Sequence, residues 1–347
     1  MRLVEGISPR WTRIIVAVAI AAVAVAYAAH VQATVTHPLD FDHLYMAARF
    51  LVSRRDPYQL IGPGREYDWP FPYFLYPLTT AVFFAPLTVF SLPTARLIFA
   101  GLSATLYLYA LGLQTGTRWR YVTALSKPFQ ATIVTGQSSF LLASMVMFPA
   151  VSAFAAVKPN IAAAIVGSSF SPRSLRFAIV GGLVLLATSL ALQPNWPLEW
   201  LAAIREDPFR SSAVMRPGGI LLLFAAIRWR RPEARLLFAL SVVPQTLGMY
   251  DALLLFWIPR RASEYIALVA LSHFAFLMVF NDESIHRMND FVFTMGTSIV
   301  HWLYLPALAM VLIRPNTGAV PRWIERGAAY LPRWLRGSTH DAVSSLS

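Results

Sequence analysis

Residues 14–33 read IIVAVAIAAVAVAYAAHVQA, and this stretch decides the fold class. A helix needs about 20 apolar residues to cross the hydrocarbon core of a bilayer. Arg2, Arg10 and Arg13 precede the stretch, and basic residues beside a span favour the cytoplasmic side. Its length, the lack of a clear cleavage site and the spans that follow distinguish it from a cleaved signal peptide. We therefore predict an uncleaved first helix whose N-terminus is cytoplasmic.

The composition of the whole chain also indicates a membrane protein. Of its 347 residues, 57% are hydrophobic and 13% are charged, whereas about a quarter of an ordinary soluble domain is charged. This argues against a soluble protein and against intrinsic disorder, which needs low hydrophobicity. The net charge of +12 is typical of basic cytoplasmic loops in a membrane protein, so we expect no nucleic-acid partner.

Two residue counts limit the chemistry that the protein can perform and suggest the kind of organism that makes it. The chain has no cysteine, which excludes disulfides, thiolate catalysis and cysteine-bound metals. Among its 29 basic residues only Lys127 and Lys158 are lysine. We interpret this preference for arginine as a sign of a GC-rich bacterial genome, and we expect a multi-pass protein of the bacterial plasma membrane.

Apolar runs recur along the rest of the chain and predict an all-α polytopic membrane protein with 9–12 membrane segments. Several runs are too short to span alone, and such pairs form broken or re-entrant helices where they line a cavity. The runs cover residues 73–90, 95–113, 121–135, 138–157, 160–170, 175–192, 217–228, 233–249, 250–259, 264–280 and 290–313.

Clusters of arginine suggest how the chain is oriented. Those at 228–235, 260–261 and 314–336 mark cytoplasmic segments, which places both termini inside. Arg118 and Arg120 do not fit, because they would lie outside if every earlier run spans once. The topology of residues 113–176 therefore stays open.

The predicted organisation is a membrane domain at 1–313 followed by a basic tail at 314–347. The tail alternates arginines with aromatic residues between 315 and 337, which favours an amphipathic helix on the inner leaflet. A solvated basic tail is the alternative. We expect residues 338–347 to be disordered.

The longest polar stretch before the tail is the first outside loop, at residues 36–72. Apolar residues recur at helical spacing in Phe41–Val52, which predicts an amphipathic helix along the outer membrane surface. A carboxylate in this loop could be a general base for an acceptor hydroxyl or could coordinate a divalent cation. Asp40 could instead be the N-cap of the helix. Five of the 17 acidic residues lie here: Asp40, Asp42, Asp56, Glu66 and Asp68.

Five short motifs follow one another between the first span and Pro259. They are Asp40-Phe41 with Tyr45, Ala47-Ala48-Arg49 and Asp56-Pro57-Tyr58; Phe74-Leu75-Tyr76-Pro77-Leu78; Gly136-Gln137; Lys158-Pro159; and Tyr250-Asp251 within Pro244 to Leu255. In this order they resemble the motifs of glycosyltransferase family 87. The chain departs from that family at Leu78, where a second proline is usual, and is shorter than many members.

The resemblance implies a GT-C type helical bundle that transfers a sugar with inversion on the outer face of the membrane. The donor would be a polyprenyl-phosphate sugar, with mannose as the expected sugar, and the acceptor a lipid-linked compound or a glycan. Membrane lipids would surround both. Asp40 is the implied general base. We prefer it to Asp42 because its spacing to Tyr45 and to Ala47-Ala48-Arg49 matches better.

The residues that could bind donor or acceptor each have a structural alternative. Lys158 could extend to the membrane interface, Arg49 could pair with an acid of its own loop, and Gln137 could bond to backbone. Tyr76 could belong to an interfacial aromatic belt, and Asp251 could cap a helix. The binding candidates are Lys158, Arg49, Tyr250, Asp251, Gln137, Tyr76 and Tyr45.

Metal and transport functions are the remaining alternatives. His273, His286 and His301 lack metal-ligand spacing, so we interpret them as structural or interfacial; apart from the optional divalent cation, no cofactor is assigned. A lipid or solute transporter, or flippase, would also have broken helices and intramembrane acids. We rank it second, because the acids concentrate in one loop and no repeat is evident, and an inactive scaffold third.

Overall fold

The computed structural model describes residues 9–69, 74–114, 118–206, 211–280 and 288–338, without the side chains of residues 333 and 334. The described chain is mostly helical, and its one sheet is a pair of two-residue parallel strands, β1 (Ile61–Gly62) and β2 (Tyr67–Asp68). The all-α prediction is confirmed. The α-helices are α1 Pro9–Gln32, α2 Asp40–Val52, α3 Pro57–Leu60, α4 Leu78–Phe84, α5 Leu92–Leu113, α6 Lys127–Thr135, α7 Ser139–Ser144, α8 Pro159–Ser169, α9 Pro172–Leu192, α10 Trp196–Arg205, α11 Pro232–Val242, α12 Ala262–Phe280, α13 Met288–Ile299, α14 Leu305–Leu312, α15 Arg322–Ala328 and α16 Arg333–Arg336.

Five helical stretches among the described residues are long and apolar enough to cross a membrane. They are α1, α5, α9, α12 and the run Met288–Leu312, in which a π-helical turn at Val300–Tyr304 joins α13 to α14. The other apolar runs form shorter helices, several of them 3-10 helices: Ala85–Val89, Arg118–Leu125, Pro149–Val157, Gly219–Arg228 and Met249–Trp257. The count of 9–12 membrane segments stays a prediction, because it depends on how these short helices pair.

The three arginine clusters meet at one end of the molecule. Arg231, Arg260 and Arg314 all contact the Glu233 carboxylate, at 3.2, 3.4 and 3.2 Å. Arg314 also pairs with Glu264 at 2.6 Å. We call this the basic end.

The length of helix α12 gives the distance between the basic end and the opposite end of the molecule. Glu264 lies in its first turn, and the helix ends at Phe280. At 1.5 Å per residue these residues are about 24 Å apart, close to the thickness of a bilayer core. The end that contains Phe280 also contains the N-terminus of α2, since Asp40 and Phe280 line the same cavity.

Helix α5 resolves the position of Arg118 and Arg120. Its first turns lie beside α2, where Arg96 bonds to Asp42. Its far end lies at the basic end, where Gln114 accepts a hydrogen bond from Tyr265 at 3.0 Å. The preceding residues, 74–90, form only short helices, and Phe90 still lies beside α2, where its carbonyl accepts the Tyr45 hydroxyl at 2.8 Å. Arg118 and Arg120 therefore follow α5 to the basic end, where the other arginine clusters lie.

The run at 138–157 is a pair of short helices rather than one span. Helix α7 ends at Ser144, and a 3-10 helix begins at Pro149, since proline cannot continue the hydrogen bonding of a preceding helix. At the bend Phe148 stacks on Tyr109 of α5, with centroids 5.9 Å apart. The chain then returns beside α4, where Val157 accepts the Thr80 hydroxyl at 2.7 Å. This run is long enough to span alone by its sequence, but the structure divides it into two short helices.

Helix α2 lies where Phe41–Val52 predicted a helix, but other elements enclose it. Nine of its 13 residues are buried, and Phe41 packs edge-on against Phe84 of α4 and lies 5.8 Å from Phe99 of α5. Only Arg49 and Val52 are exposed. Its apolar residues therefore pack against other parts of the protein, and its position relative to the membrane surface stays a prediction.

The tail packs against the basic end. It contains two short helices, α15 and α16, instead of one long amphipathic helix. Arg230 pairs with Glu325 at 2.9 Å, and the Asn316 amide donates to the Leu335 carbonyl at 3.0 Å. The predicted disorder of residues 338–347 lies, beyond Ser338, outside the described residues.

Candidate functional site

A cavity of about 610 Å³ opens at the end opposite the arginine clusters. This volume is typical of small-molecule sites. Its lining includes a set of polar and aromatic side chains, which we call the polar wall, and a set of apolar side chains, which we call the apolar wall. The polar wall contains Asp40, His43, Trp69, Tyr76, Gln137, Lys158, Asn160 and Tyr250; the apolar wall, from α12 and α13, contains Phe276, Phe280, Met288, Phe291, Val292 and Met295.

Asp40 is the first residue of α2 and lines the cavity. Leu39, not Asp40, is the N-cap residue, so the cap interpretation of Asp40 is wrong. Burial raises the pKa of Asp40 to about 6, although a hydrogen bond to Gln137 and the charge of Lys158 lower it and Asp251 and Asp42 raise it further. A carboxylate with a pKa just below neutrality is suited to general-base catalysis.

Asp42 lies two residues further on and faces away from the cavity, since helix positions i and i+2 do not share a face. It accepts the Leu39 backbone N–H at 2.8 Å, which satisfies a free donor at the helix start. Its other oxygen accepts the Arg96 Nε–H at 3.0 Å. Asp42 is thus occupied in holding the N-terminus of α2 against α5.

Lys158 and Asp251 form an ion pair in the cavity wall. The Lys158 Nζ lies 2.6 Å from Asp251 Oδ1 and 5.2 Å from the centre of the Tyr250 ring. Asp251 is 3% exposed, and its Oδ2 has no hydrogen-bond partner among the described residues. Asp251 lies in the first turn of the helix Met249–Trp257 but makes no capping bond. The cap interpretation of Asp251 is therefore wrong.

Neighbouring elements fix the backbone around Lys158. Thr79 and Thr80 of α4 donate to the carbonyls of Ala156 and Val157, at 2.6 and 2.7 Å. The Asn160 amide donates to the Pro244 carbonyl at 2.8 Å, just before the Gln245–Tyr250 segment. These bonds tie together the Lys-Pro motif, the second motif and the Tyr-Asp motif, which are distant in sequence.

Gly136 allows Gln137 to reach Asp40. It ends α6 with φ +67°, a left-handed conformation that glycine adopts without strain. A Cβ at this position would lie 2.8 Å from Cβ of Phe41. The close approach brings the start of α2 beside Gln137, which lines the cavity together with Asp40 and Tyr76. Gln137 Oε1 has no described partner.

The structure brings five of the nine predicted site residues to the cavity surface: Asp40, Tyr76, Gln137, Lys158 and Tyr250. Asp251 lies behind them through its pair with Lys158. The other three do not line the cavity. Asp42 bonds to Arg96, Tyr45 is buried against Phe90, and Arg49 is exposed on α2.

The three histidines of the sequence analysis lie away from the cavity or outside the described residues. His273 and His301 bond to the carbonyls of Leu125 and Pro217, both at 2.9 Å. His286 lies outside the described residues. Within the described chain, no group of three His, Asp or Glu side chains is placed to hold a metal ion.

His43, Trp69, Asn160 and Trp200 line the cavity but were not predicted. One signal was available for His43, which follows Asp40 by three residues and so shares its helix face. Trp200 belongs to α10 and donates its indole N–H to the Leu75 carbonyl at 3.1 Å. No local pattern indicates that α10 lies over residues 125 positions earlier.

Comparisons of the chain with protein-family models, with curated proteins and with solved structures found no match.

Proposed function

We propose that this protein is a GT-C type glycosyltransferase that moves a sugar, with mannose as the expected one, from a polyprenyl-phosphate donor to a lipid-linked or glycan acceptor. The observation that carries the proposal is the shared cavity of Asp40 and Lys158. A carboxylate that can accept a proton and a cation that can bind a phosphate line the same cavity, and the side chains of the apolar wall are part of the same lining.

In the proposed reaction, the acceptor hydroxyl oxygen attacks the anomeric carbon of the donor. The bond between that carbon and the phosphate oxygen breaks, and its electron pair stays on the phosphate. The hydroxyl proton passes to Asp40. Negative charge grows on the departing phosphate, and Lys158 stabilises it, since fixed charges act strongly in a water-poor site.

The distribution of charge supports an outward-facing site. The arginine clusters lie at the opposite end of α12 from the cavity. Because basic residues favour the cytoplasmic face, the cavity would open on the outer face of the bacterial plasma membrane. Donor and acceptor would then reach it from the outer leaflet.

The test is sugar transfer by purified protein with polyprenyl-phosphate mannose and a membrane lipid extract as acceptor. Asp40→Asn is expected to lower the rate by about 10²–10⁴-fold, the usual contribution of a general base. Its melting temperature should equal or exceed that of the wild type, because the substitution removes a charge that burial disfavours.

Asp42→Asn is the matched control. It weakens the bond to Arg96 and should lower stability, while transfer per folded molecule persists. If folded Asp42→Asn loses transfer and Asp40→Asn keeps full activity, then Asp42 is the base and the assignment to Asp40 is wrong. A wild-type protein that transfers no sugar but moves the lipid across vesicles would instead favour the transporter.

A further inference from the structure

His43 is a polar side chain in the cavity wall that the proposed reaction does not use. It follows Asp40 by one turn of α2, so both side chains lie on the same face of the helix. Its ring lines the cavity and is 5% exposed. Nδ1 is buried without a hydrogen-bond partner among the described residues. Buried polar atoms of this kind are rarely left unpaired.

The His43 ring is neutral under ordinary conditions. Burial lowers the pKa of His43 to about 3. A neutral imidazole has one N–H donor and one acceptor nitrogen. It can therefore bond to a hydroxyl group in either direction, but it offers no positive charge to a phosphate.

Aromatic rings surround His43 on the polar wall. The Trp69 ring lies 4.5 Å from the imidazole and is tilted by 32°, and the Tyr76 ring lies 5.5 Å away. Trp69 and Tyr76 line the cavity too. The electron-rich face of an aromatic ring attracts groups with positive edges, such as the C–H bonds of a sugar ring.

The apolar wall contrasts with this arrangement. Its side chains from α12 and α13, Phe276, Phe280, Phe291 and Met295 among them, carry no hydrogen-bond donor. A ligand with a hydroxylated part and an apolar part would thus place its hydroxyl groups beside His43.

We propose that His43, Trp69 and Tyr76 form a saccharide subsite next to Asp40, in which His43 hydrogen-bonds to one hydroxyl group of the sugar and the aromatic rings form the wall. The subsite rests on the proposed function and adds to it a residue that selects the sugar. His43 binds a sugar hydroxyl and takes no part in the proton transfer, which Asp40 performs.

The test measures equilibrium binding of a short-chain isoprenyl-phosphate mannose, and of analogues that each lack one hydroxyl group, to the full-length protein in detergent. In the wild type, loss of the recognised hydroxyl should weaken binding about tenfold or more, because it leaves a buried polar group unpaired. His43→Phe keeps a ring beside Trp69 but has no ring nitrogen. It should bind the parent compound about as weakly as the wild type binds that analogue, and should not distinguish the two.

A second variant and a control separate recognition from folding. His43→Gln retains a hydrogen-bonding group and should keep part of the discrimination, so it replaces His43→Phe if that variant does not fold. His301→Phe alters a histidine that bonds to Pro217 outside the cavity and should discriminate like the wild type. The inference is overturned if folded His43→Phe still distinguishes the analogues as the wild type does. If the wild type binds no mannose donor, the proposed function fails, and the subsite with it.

Discussion

The two ends of the molecule differ in how fully their charged and polar groups are paired. At the basic end both oxygens of Glu233 are occupied, one by Arg231 and Arg314 and the other by Arg260. At the cavity, Asp251 has one oxygen on Lys158 and the other without a described partner, and one atom each of Gln137 and His43 is in the same state. A saturated network holds helices together, whereas an unsaturated one keeps bonding capacity for a ligand.

After the Asp40 substitution, breaking the Lys158–Asp251 pair should have the largest effect on transfer. Lys158→Met removes the cation and is expected to lower the rate by about 10²–10³-fold. It also leaves Asp251 uncompensated in a buried site, which typically costs about 3–5 kcal/mol of stability. Transfer assays and thermal unfolding in detergent measure the two effects.

The double variant Lys158→Met/Asp251→Leu separates the effects. Replacing both charges by apolar groups often restores stability, so it should unfold near the wild-type temperature while remaining inactive. Recovery of transfer together with stability would show that the pair has only a structural role.

The pH dependence of transfer should show a smaller effect. Asp40 works only when deprotonated, and its pKa is raised to about 6 because it is buried. The rate constant at low substrate should therefore fall about tenfold per unit below pH 6 and level off above it. A profile that is flat between about pH 5 and pH 7 would contradict this role. Asp42→Asn, measured alongside, should shift the midpoint slightly downward, because the Asp42 charge is the smallest of the causes that raise the pKa of Asp40.

Glu233→Gln should have the smallest effect on transfer and a clear effect on stability. It removes the carboxylate shared by three arginines, and bonds to charged groups contribute about 1.5–3 kcal/mol each. The melting temperature should fall, while the rate per folded molecule stays at the wild-type value. A lower transfer rate at an unchanged melting temperature would contradict this prediction. It would show that the basic end influences the cavity, although their contacts are separate.

Much of the helical organisation was predictable from local sequence. A run such as 14–33 is long and apolar enough that only a helix satisfies its backbone in a membrane, and α1 covers it. The run at 73–90 is also apolar, but Pro77 and Pro86 interrupt it, and its described part forms only short helices. Its path depends on contacts with distant residues, among them Thr79 to Ala156, and those contacts have no periodic signal.

The candidate site was predictable only in part, because local motifs indicate some of its residues while others depend on contacts with distant residues. The motifs that contain Asp40, Gln137 and Lys158 converge on the cavity, yet the choice between Asp40 and Asp42 depends on helix phase and on Arg96, 54 residues away. Arg49 shares the opening motif but lies on the solvent side of α2. His43 has no motif of its own, and the role proposed for it rests on the burial of its ring beside Trp69.

The contact of Arg314 with Glu233 and Glu264 has a consequence for how the protein folds while it is being synthesised. Both acids are made well before Arg314, and Glu325, the partner of Arg230, follows later still. While the ribosome is still making the last helices, these side chains lack partners that the finished chain provides. The basic end therefore reaches its final ion pairing only when the tail has emerged, and a chain truncated before residue 314 should be degraded faster than the intact protein.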